Sequence, residues 1–404
     1  MTKPHTLGVY LHSTLVATLT DIGHDRSLFA FTENYIDDAQ RATLSLSFRD
    51  AMGALMSEPK NTQTQLTPFF SNLLPEGPMR TYLAKRANVH SGREFFLLWV
   101  LGQDLPGALT IKPLEGEALP TGLADGDDQS PPGEGPMRFS LAGVQLKFSA
   151  TQAASGGLTI PASGMGGSWI IKLPSSQYPL VPENEFAMMT LARKIGIDVP
   201  DIKLINVNDI EGIPASIGKL GKKAFAIKRF DRTHDGGSVH IEDFAQIYSL
   251  YPRDKYTKGR MRNIAQVINI ETGDADNAEF IRRLVFNTLI GNADMHMKNW
   301  SLIYPDGIRP RLAPAYDFVS TIPYIPDHES ALKVSRSKAF ADFTLDEIAH
   351  MASKASMPEK TTLDTAKETS ARFRALWMQE KGHLGLSSEI ERDIDRHLSK
   401  LPVW

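Results

Sequence analysis

Over the first hundred residues apolar and polar positions alternate in short runs, from Leu7 to Leu19, Ser27 to Phe31 and Thr43 to Phe48. Alternation of this kind predicts β-strands with one buried face. From Pro68 to Leu101 the spacing lengthens, and Phe69, Phe70, Leu73 and Leu74 fall on one apolar stripe, which predicts a more helical stretch. Two further strands are predicted at residues 169–172 and 225–230. Between them, residues 183–195 carry Met188, Leu191, Ala192 and Ile195 at helical spacing and run into Gly196, a helix-ending residue. Beyond Asp243 the pattern turns helical. Phe280, Ile281, Leu284, Val285 and Leu289 share a face, and Gly291 stands where that helix must stop. Extended structure resumes at residues 300–304, and helices are predicted over residues 345–353, 361–379 and 387–398.

A small β-rich lobe ahead of a larger helical one predicts an α+β, protein-kinase-like bilobal fold, with an extra β-rich subdomain at the N-terminus and a mostly α-helical C-terminal lobe. At 404 residues the chain exceeds what one core serves, so several lobes are expected. Residues 114–136 are dense in Gly, Pro, Asp and Glu and read as an exposed connection. The predicted division is therefore residues 1–113 as N-terminal subdomain and 114–136 as linker, with 137–235 the second part of the N-lobe and 236–404 the helical C-lobe. No internal repeat is found.

Composition narrows the function. A formal charge of −3 and no long basic run argue against this chain binding nucleic acid directly. The absence of cysteine removes disulfides, thiolate metal sites and cysteine nucleophiles. No apolar run approaches the roughly 18 residues of a membrane span, and no signal-peptide core is found, so a cytoplasmic protein without membrane association is expected.

The densest chemistry lies in Gly291-Asn-Ala-Asp-Met-His-Met-Lys-Asn299, followed by Tyr316-Asp317. An aspartate that takes the acceptor hydroxyl's proton, an asparagine five residues on and a metal-binding aspartate after a hairpin are the parts of a phosphoryl-transfer site. Asp294, Asn299 and Asp317 reproduce that order. Each alone would be an ordinary turn residue. Lys172 sits in an apolar strand, Ile170-Ile-Lys-Leu173, where an ammonium must either snorkel outward or meet an anion such as phosphate. Ser140, Ala142 and Gly143, within residues 138–147, would allow the backbone to approach an anion, although the spacing matches neither known glycine-rich phosphate loop. A second glycine-rich stretch, residues 155–168, reads as a hairpin tip.

Together these segments resemble the HipA family of bacterial serine/threonine kinases, the toxin halves of type II toxin–antitoxin pairs. The resemblance runs through Phe69 to Gly77, Ser140 to Lys147, Trp169 to Pro174, Asn184-Glu-Phe186, Lys228-Arg-Phe-Asp-Arg232, Glu242 to Gln246, Gly291 to Asn299 and Ala315-Tyr-Asp317. It implies that Lys172 contacts ATP phosphates, that Asp294 is the catalytic acid/base, and that Asn299 and Asp317 hold Mg²⁺. It also implies that Lys228, Phe230, Asp231, Gln246, His296 and Tyr316 line the nucleotide pocket. The loop containing Ser140, Ala142, Gly143, Gln145 and Lys147 would bind phosphate, with Ser140 the autophosphorylated residue. Lys228 stands where many relatives carry a carboxylate, and Leu146 where they carry a more polar residue. Glu185 either pairs with Lys172 or is a helix N-terminal acid favoured by the macrodipole. The resemblance further implies a HipB-like helix-turn-helix antitoxin, operator DNA reached through it, and a translation component such as an aminoacyl-tRNA synthetase as substrate. The alternatives are a small-molecule, antibiotic-type phosphotransferase and a non-catalytic kinase-like scaffold binding antitoxin and DNA.

Overall fold

The computed structural model describes residues 4–114, 116, 118–120, 123, 146–152, 157–161, 166–175, 177–213, 221–325 and 328–402. The first lobe opens with β1 (Thr6–Leu11), β2 (Thr14–Asp21), β3 (Arg26–Phe31), β4 (Lys60–Gln63) and β5 (Leu109–Pro113). They form an antiparallel sheet in the order β4-β3-β2-β1-β5. The helices of this part are α1 (Glu33–Asp37), α2 (Pro68–Ser71), α3 (Gly77–Arg86) and α4 (Glu94–Leu101).

One local expectation is corrected here. The segment from Thr43 to Phe48 is no strand; Leu46–Phe48 is a 3₁₀ turn, because the Ser45 hydroxyl accepts from the Ser47 amide and caps it. The stretch from Pro68 to Leu101 is three helices, since Pro75 denies the chain another turn after α2, and Asn88 takes a left-handed conformation beyond α3.

A second sheet contains β6 (Lys147–Gln152), β7 (Leu158–Thr159), β8 (Trp169–Lys172), β9 (Ile202–Asn206), β10 (Ile210–Glu211) and β11 (Lys223–Lys228), in the order β10-β7-β6-β8-β11-β9. Its two faces have different partners. Phe148, Trp169, Ile171, Ala224 and Ala226 join the core of the N-terminal subdomain. Phe225 and Ile227 join the core shared with α5 (Val181–Lys194) and the helical lobe. Burial on both faces is why β11 reads as a continuous apolar run. Cross-strand register puts Lys147 opposite Lys172, and Lys172 opposite Phe225, so both lysines stand on the second face.

The C-terminal lobe holds β12 (His240–Asp243), β13 (Ser301–Tyr304) and β14 (Arg311–Leu312), with α6 (Phe244–Ile247), α7 (Met261–Glu271), α8 (Asp274–Leu289), α9 (Leu345–Lys354), α10 (Glu359–Glu380) and α11 (Ser388–Leu398). The interior of α8 is apolar on the face predicted, and the helix stops at Gly291. That glycine has φ +66°, and a Cβ there would meet Ile322 Cδ1 at 2.6 Å. Among the described residues no helix is long and apolar enough to cross a membrane.

Glu242 on β12 fastens the first lobe to the second. It is buried and accepts from the Ser45 hydroxyl at 2.5 Å, the Leu46 amide at 3.0 Å and the Tyr304 hydroxyl. Burial outweighs these donors and pushes its carboxyl up to about 7. A carboxyl with a higher pKa folded than unfolded adds stability that is complete below its ordinary value of 4.5 and lost as pH rises through about 7. Differential scanning calorimetry should therefore show Tm falling between about pH 5 and 8, by an amount equivalent to roughly 3 kcal/mol. Glu242→Gln should flatten that slope; an unchanged slope would remove Glu242 as its cause.

Candidate active site

A cavity of about 860 Å³ lies between the second sheet and the helical lobe. Strand β8 delivers Lys172 to its floor, and α5 delivers Glu185. Lys172 Nζ is 2.5 Å from Glu185 Oε1 and also donates to Asp317 Oδ1. Three elements distant in sequence thus meet on one ammonium. Burial alone would pull Lys172 down, but Asp317 and Glu185 together raise its pKa above the ordinary lysine value. Asp317 is held down at about 2: burial works against ionisation, and Lys172 and Lys147 overcome it. Burial, aided by the Asp317 charge, pushes Glu185 up to about 7 in spite of Lys172, so Asp317 carries the larger ionic share. Glu185 is thus a partner of Lys172 rather than a helix-dipole acid alone. Burial lowers Lys147 to about 8.

Asp317 itself has φ +59°, a left-handed conformation for a residue with a side chain. Its surroundings hold it there. Asn292 Nδ2 donates to the Asp317 carbonyl at 3.3 Å and to Asn287 Oδ1 at 2.7 Å. Asn184, next to Glu185 on α5, clasps the chain beyond Asp317 by donating to the Ser320 carbonyl at 2.9 Å and accepting from the Ser320 amide at 3.1 Å. One turn of α5 therefore sets both the lysine's partner and the aspartate's backbone.

The loop after α8 is equally braced. Thr321 Oγ1 accepts from the Ala293 amide at 2.7 Å, and Asn292 Oδ1 accepts from the Asp294 amide at 3.0 Å. Asn299 Nδ2 donates to the Asp294 carbonyl at 2.8 Å, which leaves its side-chain oxygen for another partner. Burial raises the Asp294 carboxyl above the ordinary range, although Tyr256 donates to it at 2.6 Å. His296 caps the short turn that follows by accepting from the Lys298 amide at 3.3 Å. Burial and the nearby Lys255 lower it to about 3, so it is neutral.

Of the predicted positions, Lys147, Lys172, Lys228, Phe230, Asp231, Gln246, Asp294, His296, Asn299, Tyr316 and Asp317 all border this cavity. Ser140, Ala142, Gly143 and Gln145 lie outside the described residues. Proximity does not make every one available. The Asp231 carboxylate is taken up by Arg229, Arg232 and the Gly107 amide, the last at 2.7 Å. Gln246 spends its amide on the Asp243 amide and the Phe69 carbonyl, and with Asp243 closes a capping box at α6. Lys228 is at the rim, its Nζ 3.6 Å from the exposed Asp201. Phe230 and Tyr316, with ring centroids 5.8 Å apart, remain as aromatic wall, continued by Ile170 and Ile227. Asn184, Asn292, Thr321 and Tyr256 were not singled out by sequence reasoning as functional; amides and hydroxyls of this kind carry no mark beyond their position.

The donor chemistry fits a nucleotide with a hard divalent cation. Asp317 and Asn299 line one cavity, together with Lys147, Lys172 and the apolar Ile170 and Ile227. Among the described residues no group of three or more His, Asp or Glu forms a metal site by itself. Mg²⁺ suits that, since it takes one or two protein oxygens and completes its shell with phosphate and water.

This two-lobed fold and cleft belong to the protein-kinase-like class. Residues 139–377 match the HipA-like C-terminal domain and residues 7–112 the HipA N-terminal domain. The chain belongs to the HipA family. It is 54% identical over 407 residues to Y4dM of Sinorhizobium fredii, a protein described provisionally as a kinase, with 100% of this chain and 99% of that one covered. It is 27% identical over 378 residues to the serine/threonine-protein kinase toxin HipA of Shewanella oneidensis, covering 84% of this chain and 80% of that one. A chain from the solved complex of Shewanella oneidensis HipA, HipB and operator DNA shares the fold with a TM-score of 0.72 at 20% identity, over 98% of this chain and 95% of that one.

Lys172 should be indispensable to the cleft. Lys172→Met leaves the buried Glu185 and the half-buried Asp317 without their shared cation and should lower stability by about 3 kcal/mol in chemical denaturation. Adding Glu185→Gln should recover part of that loss, because it removes one of the stranded acids. A double variant no more stable than Lys172→Met would contradict the shared ion pair.

Proposed function

We propose that this chain is an ATP- and Mg²⁺-dependent serine/threonine protein kinase and the toxin of a toxin–antitoxin pair. The observation that carries the reading is the convergence of Lys172, Glu185 and Asp317 beside Asp294 and Asn299 in one cavity. A scaffold that bound only partners would have no need to keep a buried ammonium between two acids. Bound MgATP would supply the transferable phosphoryl group and the cation that neutralises its charge. Lys172, Asn299 and Asp317 would hold it, with Phe230 and Tyr316 walling the base. Asp294 orients the acceptor hydroxyl and accepts its proton. The neutral His296 caps the loop without competing for that proton.

The phosphate-binding role of residues 140–147, autophosphorylation of Ser140, and a translation component such as an aminoacyl-tRNA synthetase as substrate belong to the same reading. So do cytoplasmic location, a HipB-like antitoxin with operator DNA reached through it, and the division at residues 113/114, 136/137 and 235/236. Family membership supports the substrate, location and antitoxin readings, the matched spans 7–112 and 139–377 support the first two boundaries, and the β12-β13-β14 sheet, which begins at His240, supports the third. Phosphate on Ser140 would add roughly −1.5 to −2 charges inside a phosphate-binding loop and should shut the enzyme off.

Intact-mass spectrometry after incubation with Mg²⁺ and ATP, with phosphosite mapping, tests both points. The wild type should gain phosphate on Ser140, and Asp294→Asn should do so about 10²–10⁴-fold more slowly. Equal rates would remove Asp294 from the mechanism, and ATP binding without transfer would favour the scaffold reading.

A further inference from the structure

Asp294 is tethered to a second group that the reading above does not use. The Tyr256 hydroxyl donates to Asp294 Oδ1 at 2.6 Å, although Tyr256 is itself 43% exposed. Its ring stands edge-on to His296 with centroids 4.9 Å apart, and Lys255 Nζ lies 5.3 Å from the ring centre. Gly259, with φ +93°, lets this loop sit down on the catalytic loop, since a Cβ there would meet Met297 Cε at 2.8 Å.

Lys255 leads into the N-terminal subdomain. Its Nζ is 2.8 Å from Glu76 Oε2, and Glu76 Oε1 faces Lys298 Nζ at 3.3 Å. Lys298 belongs to the loop of Asp294 and Asn299, and it also donates to the Asn72 carbonyl at 3.0 Å and to Asn72 Oδ1 at 3.1 Å. Both lysines are buried, so the carboxylate between them is strongly held. The segment from Asn72 to Glu76 of the first lobe thus holds the Asp294 loop through Lys298 and the Tyr256 loop through Lys255.

A carboxylate torsion is broad unless one oxygen is pinned. With Oδ1 pinned by Tyr256, Oδ2 is the oxygen left for an acceptor hydroxyl. We propose that Tyr256 is a positioning residue for Asp294, and that Glu76 of the N-terminal subdomain holds it in place through Lys255. The proposal rests on the kinase reading. It makes the N-terminal subdomain part of the phosphoryl-transfer site rather than an appendage to it.

The test compares initial rates of ADP release over a range of ATP concentrations at saturating Mg²⁺, before Ser140 phosphorylation accumulates, in the full-length wild type, Asp294→Asn, Tyr256→Phe, Glu76→Asp and the last two combined. Hydrogen exchange of residues 292–299 is followed in the same proteins without nucleotide. Tyr256→Phe should lower kcat about tenfold with KM for ATP within about twofold, because only the base is misplaced. Glu76→Asp, which keeps the charge but shortens the reach, should act in the same direction, and the double variant should be no slower than the slower single. Exchange in the loop should rise in all three. A Tyr256→Phe kcat at or above that of the wild type would overturn the proposal and mark the tyrosine as an obstruction. Multiplicative losses in the double variant would break the link to Glu76. Equal ADP release by the wild type and Asp294→Asn would defeat the kinase reading instead; the exchange data would then decide the tether, with unchanged exchange in Tyr256→Phe overturning it.

Discussion

The cleft depends on one ammonium. Lys172 leaves β8 on the face shared with Phe225 and meets Glu185 from α5 and Asp317 from the chain beyond β14. An unpaired lysine at that depth would be prohibitively costly, and two unpaired acids would be worse. The sheet, the helix and the Asp317 turn therefore cannot be placed independently. Asn184 reinforces this from the same turn of α5, so the backbone carrying Asp317 is fixed by the helix that carries Glu185. The left-handed conformation of Asp317 persists because its carboxylate and its carbonyl are both held from outside.

The N-terminal subdomain is joined to this centre by charge as well as by packing. Asp104 bonds Arg229 and Arg232, and the Gly107 amide bonds Asp231, which pins the chain just past β11 where the aromatic wall begins. Glu76 and Asn72 reach the loop of Asp294 and Asn299 from the other side, and Glu242 takes hold of Ser45 and Leu46. Contacts of this kind, largely buried and many-membered, hold a relative orientation that apolar packing alone would leave free to slide.

Much of this was legible in the sequence because it rests on local rules. The stripe over Phe280 to Leu289 and its stop at Gly291 follow from helical periodicity and a positive φ, and the five-residue spacing of Asp294 and Asn299, with Asp317 after the β13–β14 hairpin, is read directly along the chain. The strand expected at Thr43 to Phe48 was misread because Ser45 serves a turn and a distant carboxyl, neither of which alternation records. Asp231 and Gln246 border the cavity, yet their polar atoms are committed to Arg229, two residues away, and to Phe69, 177 residues away. Tyr256 carried no sequence mark at all; only the fold brings it to Asp294.

On the proposed reading, the acids around Lys172 hold a nucleotide with its cation. Isothermal titration of ATP into the wild type and Asp317→Asn, in Mg²⁺ and again in EDTA, tests it most directly. The wild type should bind ATP more tightly with Mg²⁺, and Asp317→Asn should bind with an affinity that no longer responds to the cation. Equal wild-type affinity in Mg²⁺ and EDTA would contradict the account.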